Sequence, residues 1–95
     1  MRLTEYEIKS IKKAFKECFK DGNIYLFGSR VDDTKLGGDI DLYITEHNEV
    51  DILNKKIQFL VSLKQKIGDQ KIDLIISKDK KRIIEQEAIK NGVIL

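Results

Sequence analysis

Two motifs at a fixed spacing constrain this chain more than any other feature. A short apolar run ends in Gly28-Ser29, and the aspartate pair Asp39 and Asp41 begins ten residues after the serine. The run Ile24-Tyr25-Leu26-Phe27 is β-prone and is closed by Gly28, so it predicts a strand. Gly28 allows a sharp turn or a close approach to a ligand. Because Ser29 is a good helix N-cap, we expect one helical turn at Arg30-Val31-Asp32.

The turn after this strand has the chemistry of a phosphate site. Free backbone N–H groups at the start of a helical turn attract anions. Ser29 adds a hydroxyl group, and Arg30 adds a fixed positive charge. We therefore predict that Gly28, Ser29 and Arg30 hold a phosphate group.

A pair of aspartates opens the second predicted strand, Asp39–Thr45. Side chains alternate across a strand, so Asp39, Asp41 and Tyr43 should share one face. Two carboxylates on one face repel each other and favour a cation, and their hard oxygen atoms suit Mg²⁺ or Mn²⁺. Since Mg²⁺ commonly uses one or two carboxylates together with substrate phosphates, the two motifs predict a metal–nucleotide site.

A third aspartate, Asp73, lies inside the later β-type run Lys71–Ile76. An unpaired carboxylate in apolar surroundings is costly, so it shifts its pKa, pairs with a cation or binds a metal. We predict that Asp73 completes a site of three carboxylates. Two metal ions held there would stabilise the attacking and leaving oxygens of a displacement at phosphorus.

Together these motifs resemble the nucleotidyltransferase superfamily related to DNA polymerase β. The resemblance rests on Gly28-Ser29-Arg30, on Gly38-Asp39-Ile40-Asp41-Leu42 and on Asp73, and it covers about residues 23–76. It is strongest with the small stand-alone members, the minimal nucleotidyltransferases, which are often the antitoxins of HEPN/MNT toxin–antitoxin pairs. Many members carry a serine directly before the aspartate pair, where this chain has Gly38.

The resemblance implies a Mg²⁺-dependent enzyme that transfers a nucleoside monophosphate, expected to be AMP from ATP, to a hydroxyl group. Asp39 and Asp41 would hold the metals, and Asp73 would bind the catalytic metal and help to deprotonate the hydroxyl. Ser29, the local backbone and Arg30 would hold the β- and γ-phosphates. A HEPN-type toxin is the implied partner and acceptor.

The alternative is a non-catalytic module that binds a nucleotide or docks on the partner and neutralises it by occlusion. It follows from the lack of a second predicted domain for an acceptor substrate. Three clustered aspartates favour catalysis instead, because docking has no need of them. An Asp-x-Asp phosphatase is disfavoured because the pair precedes its apolar run, and an EF-hand lacks its ligand ladder and terminal Glu.

The chain of 95 residues predicts a single nucleotidyltransferase domain over residues 1–95. Its pattern gives helix, strand, strand, helix, strand and helix, which is an α+β fold. We expect a small mixed sheet with helices packed on one face and an open acidic face, as the resemblance also implies. The apolar tail Val93-Ile94-Leu95 can add a short strand, pack under the sheet or meet a partner.

Sequence signals also place the three helices. A capping box at Thr4 and Glu7 opens the first, which should run to about Lys20. The second should cover about residues 50–67. The third should cover about residues 80–90, with Ser77 or Asp79 as its cap.

Composition excludes several classes of protein. The formal net charge of +2 is too small to indicate a nucleic-acid binder, although an RNA acceptor stays open. No apolar run approaches the roughly 20 residues that a membrane span needs, and the first residues lack an apolar signal core, so we expect a cytoplasmic protein. The single Cys18 excludes an internal disulfide and is expected in the core, and His47 is expected in an exposed loop.

Overall fold

The centre of the fold is a mixed sheet, seen here in a computed structural model that describes residues 1–35 and 37–95. Across those residues the sheet has four strands in the order β3-β2-β1-β4. Strand β1 is antiparallel to both β2 and β4, whereas β2 and β3 are parallel. Their bounds are β1 (Asn23–Phe27), β2 (Ile40–Thr45), β3 (Ile72–Ile76) and β4 (Val93–Ile94).

Three α-helices accompany the sheet in the described residues: α1 (Glu5–Cys18), α2 (Ile52–Ile67) and α3 (Ile83–Asn91). The predicted capping box of α1 is present. The Glu7 amide donates to Thr4 Oγ1 at 3.0 Å, and the Thr4 amide donates to Glu7 Oε1 at 2.9 Å. The α+β fold class with a mixed sheet is thus confirmed.

The two faces of the sheet carry different helices. On one face, Ile24 and Leu26 of β1 and the even-numbered residues of β2 pack with apolar side chains of α1 and α2, including Ile11, Phe59 and Leu63. On the other face, Phe27 and Tyr43 pack with Ala88 of α3. The prediction of helices on one face is therefore right for α1 and α2 and wrong for α3, which covers part of the acidic face.

A buried glutamate explains why α3 lies there. Glu85 is fully buried, and its carboxylate accepts hydrogen bonds from the hydroxyls of Tyr43 (2.8 Å) and Ser77 (2.6 Å). The backbone amides of Lys78 and Asp79 also donate to it, at 3.0 and 2.9 Å. The segment before α3 thus wraps around this carboxylate. Consequently α3 starts at Ile83, after Arg82, and the predicted cap by Ser77 or Asp79 and start near Lys80 are wrong.

The structure also tests the predictions for the C-terminal tail, for Cys18 and for His47. The tail forms a short strand, β4, and the Leu95 amide continues the pairing by donating to the Ile24 carbonyl at 2.9 Å. Cys18 is buried in the core, as expected. His47 is half-buried instead of exposed, because its ring packs edge-on against Phe19 with ring centroids 6.1 Å apart. In the described part of the chain, no helix has the length and apolar character needed to cross a membrane.

The buried Glu85 carboxylate should make stability depend on pH. Burial by itself raises its pKa, but the hydrogen bonds from Ser77, the two backbone amides and Tyr43 outweigh burial and lower the pKa from 4.5 to about 2. Because the pKa is lowered in the folded state, the charged carboxylate stabilises the fold at pH values above its unfolded-state pKa. This stabilisation is lost as the pH falls from 4.5 towards 2. The contribution at neutral pH is about 3 kcal/mol at most.

We therefore expect Glu85→Gln to lower the free energy of unfolding at pH 7 by about 1–3 kcal/mol. The difference from the wild type should shrink between pH 4.5 and pH 2, as followed by urea denaturation at each pH. Glu87→Gln, on the exposed side of the same helix, is the matched control and should change little. An equal loss in both variants would contradict the assigned role of Glu85.

Candidate active site

Strand register brings two of the predicted aspartates side by side. Asp41 of β2 pairs with Phe27 of β1 on one side and with Asp73 of β3 on the other. Residues in register on neighbouring strands point to the same face, about 5 Å apart. The carboxylates of Asp41 and Asp73 therefore lie next to each other, and Gly28 follows directly after Phe27.

Asp73 differs from its prediction in one respect. Its side chain is exposed, whereas the apolar run around it predicted burial. The reason is that β3 is an edge strand of the described sheet, so its acidic face is open beyond Asp73. The placement beside Asp41 agrees with the predicted carboxylate site, while the argument from burial does not apply.

The environment of Asp41 disfavours a negative charge. Burial raises the pKa of its carboxyl group first, and the charges of Asp73 and then Asp39 raise it further. The Lys71 ammonium only partly offsets these effects. A carboxylate that is repelled by two others is stabilised by a nearby cation.

Asp39 precedes β2 instead of opening it, since the strand begins at Ile40. Its Oδ2 lies 3.4 Å from the Nζ of Lys71, whose side chain is 74% exposed. Exposed ion pairs of this kind contribute about 0–1 kcal/mol, so the pair is easily exchanged. Asp39 is nevertheless close enough to Asp41 to raise its pKa.

These residues fit a divalent cation in their chemistry. Asp41 and Asp73 offer hard oxygen atoms, and a bound cation would relieve the repulsion that raises the pKa of Asp41. Within residues 1–35 and 37–95, no cluster of three or more His, Cys, Asp or Glu side chains is already gathered for a metal ion. Asp41 and Asp73 therefore lie together, whereas Asp39 is paired with Lys71 and would have to leave that lysine to become a third ligand.

Gly28 makes the contact between the two sequence motifs possible. Its backbone φ angle is +75°, which residues other than glycine rarely adopt. A β-carbon at this position would overlap Oδ2 of Asp41. Glycine thus lets the turn after β1 lie directly against the carboxylate.

The predicted helical turn is a 3₁₀ turn over Gly28–Val31. Ser29 lies inside this turn and is not its cap, because the turn already begins at Gly28. A β-carbon at Gly38, whose φ is +93°, would overlap Oγ of Ser29. The glycine at position 38 therefore leaves room for the Ser29 hydroxyl.

Arg30, the third residue of the predicted phosphate site, makes its contacts with the loop around the turn. Its Nε donates to the Gly38 carbonyl at 3.1 Å, and its Nη1 donates to the Arg2 carbonyl at 3.0 Å. Its guanidinium also approaches Gln70, with Nη2 at 3.5 Å from Oε1. These contacts fix the loop around the turn, and Arg30 does not line the cavity that Ser29 lines.

Arg2 is a residue that the sequence reasoning missed. Its side chain donates to the carbonyls of Ser29 at 2.9 Å and Asp32 at 3.0 Å, and its amide donates to the Arg30 carbonyl at 2.6 Å. These three bonds hold the back of the 3₁₀ turn. A lone arginine near the chain start belongs to no motif, so no sequence signal pointed to it.

Two cavities meet at the turn. One, of about 620 Å³, contains Asp41 and Asp73, and the other, of about 420 Å³, contains Ser29 and Lys35. Both are lined by Phe27, Gly28 and Glu87. Glu87 of α3 was not predicted as a site residue, because only the position of α3 on the acidic face brings it there.

A family model described as "Polymerase beta, Nucleotidyltransferase" matches residues 9–95. The chain belongs to this nucleotidyltransferase family. The match confirms the predicted superfamily and identifies the domain as that of a transferase of nucleotidyl groups. A search of curated proteins finds no match. Arg2 lies before the residues that the family model covers.

The raised pKa of Asp41 leads to a prediction about metal binding. Since the charged form is disfavoured in the fold, Asp41→Asn should raise the melting temperature of the metal-free protein at pH 7. The same variant should lose the stabilisation that Mg²⁺ or Mn²⁺ gives the wild type. Thermal melts with and without each metal test this, with Asp69→Asn as the control. A metal response that survives in Asp41→Asn would contradict the site.

The bonds made by Arg2 predict a role in nucleotide affinity. Arg2→Ala should weaken binding of a non-hydrolysable ATP analogue with Mg²⁺ by about tenfold, because the turn loses hydrogen bonds from a charged donor. Titration calorimetry measures this, and Lys13→Ala on the exposed side of α1 should bind as the wild type does. Unchanged affinity in Arg2→Ala would show that the turn holds its shape without the arginine.

Proposed function

We propose that this nucleotidyltransferase domain transfers a nucleoside monophosphate, AMP from ATP, to a hydroxyl group of a partner protein. The observation that supports it best is the position of Asp41 and Asp73, in register and directly beside the Gly28-Ser29 turn. A carboxylate pair next to a small polar turn suits a triphosphate that is bound through a metal ion.

The phosphate half of the site is the cavity that contains Ser29 and Lys35. The Ser29 hydroxyl donates a hydrogen bond to a phosphate oxygen there, and the Lys35 ammonium balances its charge. Arg2 and Arg30 keep the turn in place from behind, through their bonds to backbone carbonyls. Arg30 is thus proposed to position the turn and not to bind the phosphate itself.

The carboxylate half holds the cation. Asp41 and Asp73, joined by Asp39, supply its protein ligands, and Mg²⁺ when bound neutralises charge on the phosphates and on the leaving group. Gly28 keeps the turn against Asp41, so the phosphates and carboxylates share one centre.

In the reaction, the acceptor oxygen forms a bond to the α-phosphorus, and the bond from that phosphorus to the bridging oxygen of the β-phosphate breaks. Pyrophosphate leaves with the electron pair of that bond. The hydroxyl proton passes to the carboxylate of Asp73. The exposed position of Asp73 at the sheet edge suits this role, because an acceptor on another protein reaches it directly.

The partner is proposed from the resemblance of the motifs to the minimal nucleotidyltransferases. In HEPN/MNT pairs the partner is a HEPN-type toxin, so this chain would act as the antitoxin by modifying it. A second candidate is a docking module that neutralises the same partner by occlusion. The ion pair of Asp39 with Lys71 favours it, because a metal must displace this lysine before all three carboxylates act together.

Incubation with the partner separates these candidates. The chain, purified with its native partner, is given ATP and Mg²⁺, and the intact mass of each protein is recorded. We expect the partner to gain one or more AMP groups, at a rate that Asp39→Asn/Asp41→Asn lowers roughly a hundredfold or more.

The control is Asp51→Asn/Asp69→Asn, which removes the same charge away from the site and should retain transfer. A stable complex that neutralises the partner without any mass change would support the docking module instead. Modification of an RNA, with the protein masses unchanged, would overturn the protein acceptor.

A further inference from the structure

A groove runs along the outer edge of β3 and leads into the carboxylate site. The cavity that contains Asp41 and Asp73 adjoins a second cavity of about 400 Å³, and the two share Lys56, Leu74 and Ile75. We call the two together the β3 groove. Its far end is lined by Leu53 of α2, by Lys78 and by Arg82.

The floor of the groove is the edge strand itself. The Lys71 carbonyl and the Ser77 amide bond to β2, so the odd-numbered residues of β3 direct their backbone groups to β2. In a parallel pair, the alternate residues Ile72, Leu74 and Ile76 then direct theirs away from the sheet. Within the described residues no strand pairs with that edge. Such an edge is a template for another strand.

The walls carry exposed apolar side chains. Val50, just before α2, and Leu53 of α2 line the far end of the groove and are 99% and 68% exposed. Ile84 of α3 lines the near end and is 37% exposed. Large apolar side chains at this exposure, on both sides of an open strand edge, are typical of a protein-binding surface.

Charge is unevenly distributed along the groove. The far end has two cations, Lys78 and Arg82, and Lys56 lies where the two cavities join. Against them stand Glu49 on the same lining and Glu85, which Arg82 contacts at 3.3 Å. The near end has the carboxylates of Asp41, Asp73 and Glu87. An occupant that is acidic at the far end and uncharged near Asp73 complements this pattern.

We propose that the β3 groove binds an extended, acidic and apolar polypeptide segment of the acceptor protein as an added strand on β3, and that it places the acceptor hydroxyl at Asp73. This inference rests on the proposed function. Backbone hydrogen bonds to the edge provide affinity, and the side-chain pattern provides selectivity.

Two other occupants fit less well. A second copy of this chain would place its own β3, which Lys71 and Lys78 flank, beside the same basic end, so like charges would meet. A nucleic acid would bring its phosphates along apolar walls towards three carboxylates. Both are therefore outcomes that the experiment must be able to detect.

The test uses the full chain, labelled with ¹⁵N, and a peptide of about eight residues, the length of an ordinary strand, in which Glu alternates with Val and one terminal Ser supplies a hydroxyl. The control peptide has Lys in place of every Glu. We expect only the Glu peptide to bind and to shift the amide signals of Ile72, Leu74 and Ile76. The same peptide with N-methyl groups along one edge should lose binding if that edge pairs with β3.

Charge reversal provides the matched variants. Lys56→Glu/Lys78→Glu should weaken binding of the Glu peptide by about tenfold or more. Lys12→Glu/Lys13→Glu, with the same change of net charge on exposed positions of α1, should leave it within about twofold. Equal binding of the Lys peptide, or equal weakening by both variants, would overturn the proposal.

Further outcomes identify the wrong occupant. A dimer of the chain that the Glu peptide does not disrupt, or a single-stranded oligonucleotide that displaces the peptide, would also overturn it. Failure of the groove is distinguishable from failure of the chemistry. Peptide binding without transfer of AMP to the partner protein supports the groove and rejects the catalytic proposal. Transfer of AMP to the partner without any perturbation of β3 supports the catalytic proposal and rejects the groove.

Discussion

The register between β2 and β3 is the constraint on which the candidate site depends. Parallel pairing places Asp41 directly beside Asp73, although the two lie far apart in the sequence. A slip of one residue would move Asp73 to the face that α1 and α2 cover. Register is fixed because Ile72, Leu74 and Ile76 must meet the apolar core on that face. The core thus holds together two carboxylates that repel each other.

The second constraint is the buried Glu85, which joins α3 to the sheet. Its hydrogen bonds reach Tyr43 in β2 and the segment that follows β3, so one carboxylate links three parts of the fold. Because Glu85 is anchored, Glu87 two residues later lies between the carboxylate cavity and the phosphate cavity. The position of α3 therefore couples folding to the candidate site. The helix that packs through Ala88 against Phe27 and Tyr43 also forms one wall of the site.

Local patterns predicted most of the elements and the superfamily. Alternation, the capping box and the Gly-Ser and Asp-x-Asp motifs act over a few residues, and a sequence displays such signals directly. Features set by tertiary contacts were missed. The position of α3 depends on a buried polar network around Glu85, the exposure of Asp73 depends on strand order, and the role of Arg2 depends on carbonyls about thirty residues away. The contacts of Arg30 were not predicted either, because a motif gives the residue but not the direction of its side chain.

The exposure of Asp73 has a consequence for the local solvent. A carboxylate at an open sheet edge is hydrated, and water there weakens the electrostatic interactions of the site and competes with any acceptor hydroxyl. A polypeptide laid along β3 would replace that water with its own backbone and side chains. The acceptor would then complete the dielectric environment of the reaction, so that the site reaches its working polarity only when its substrate protein is in place.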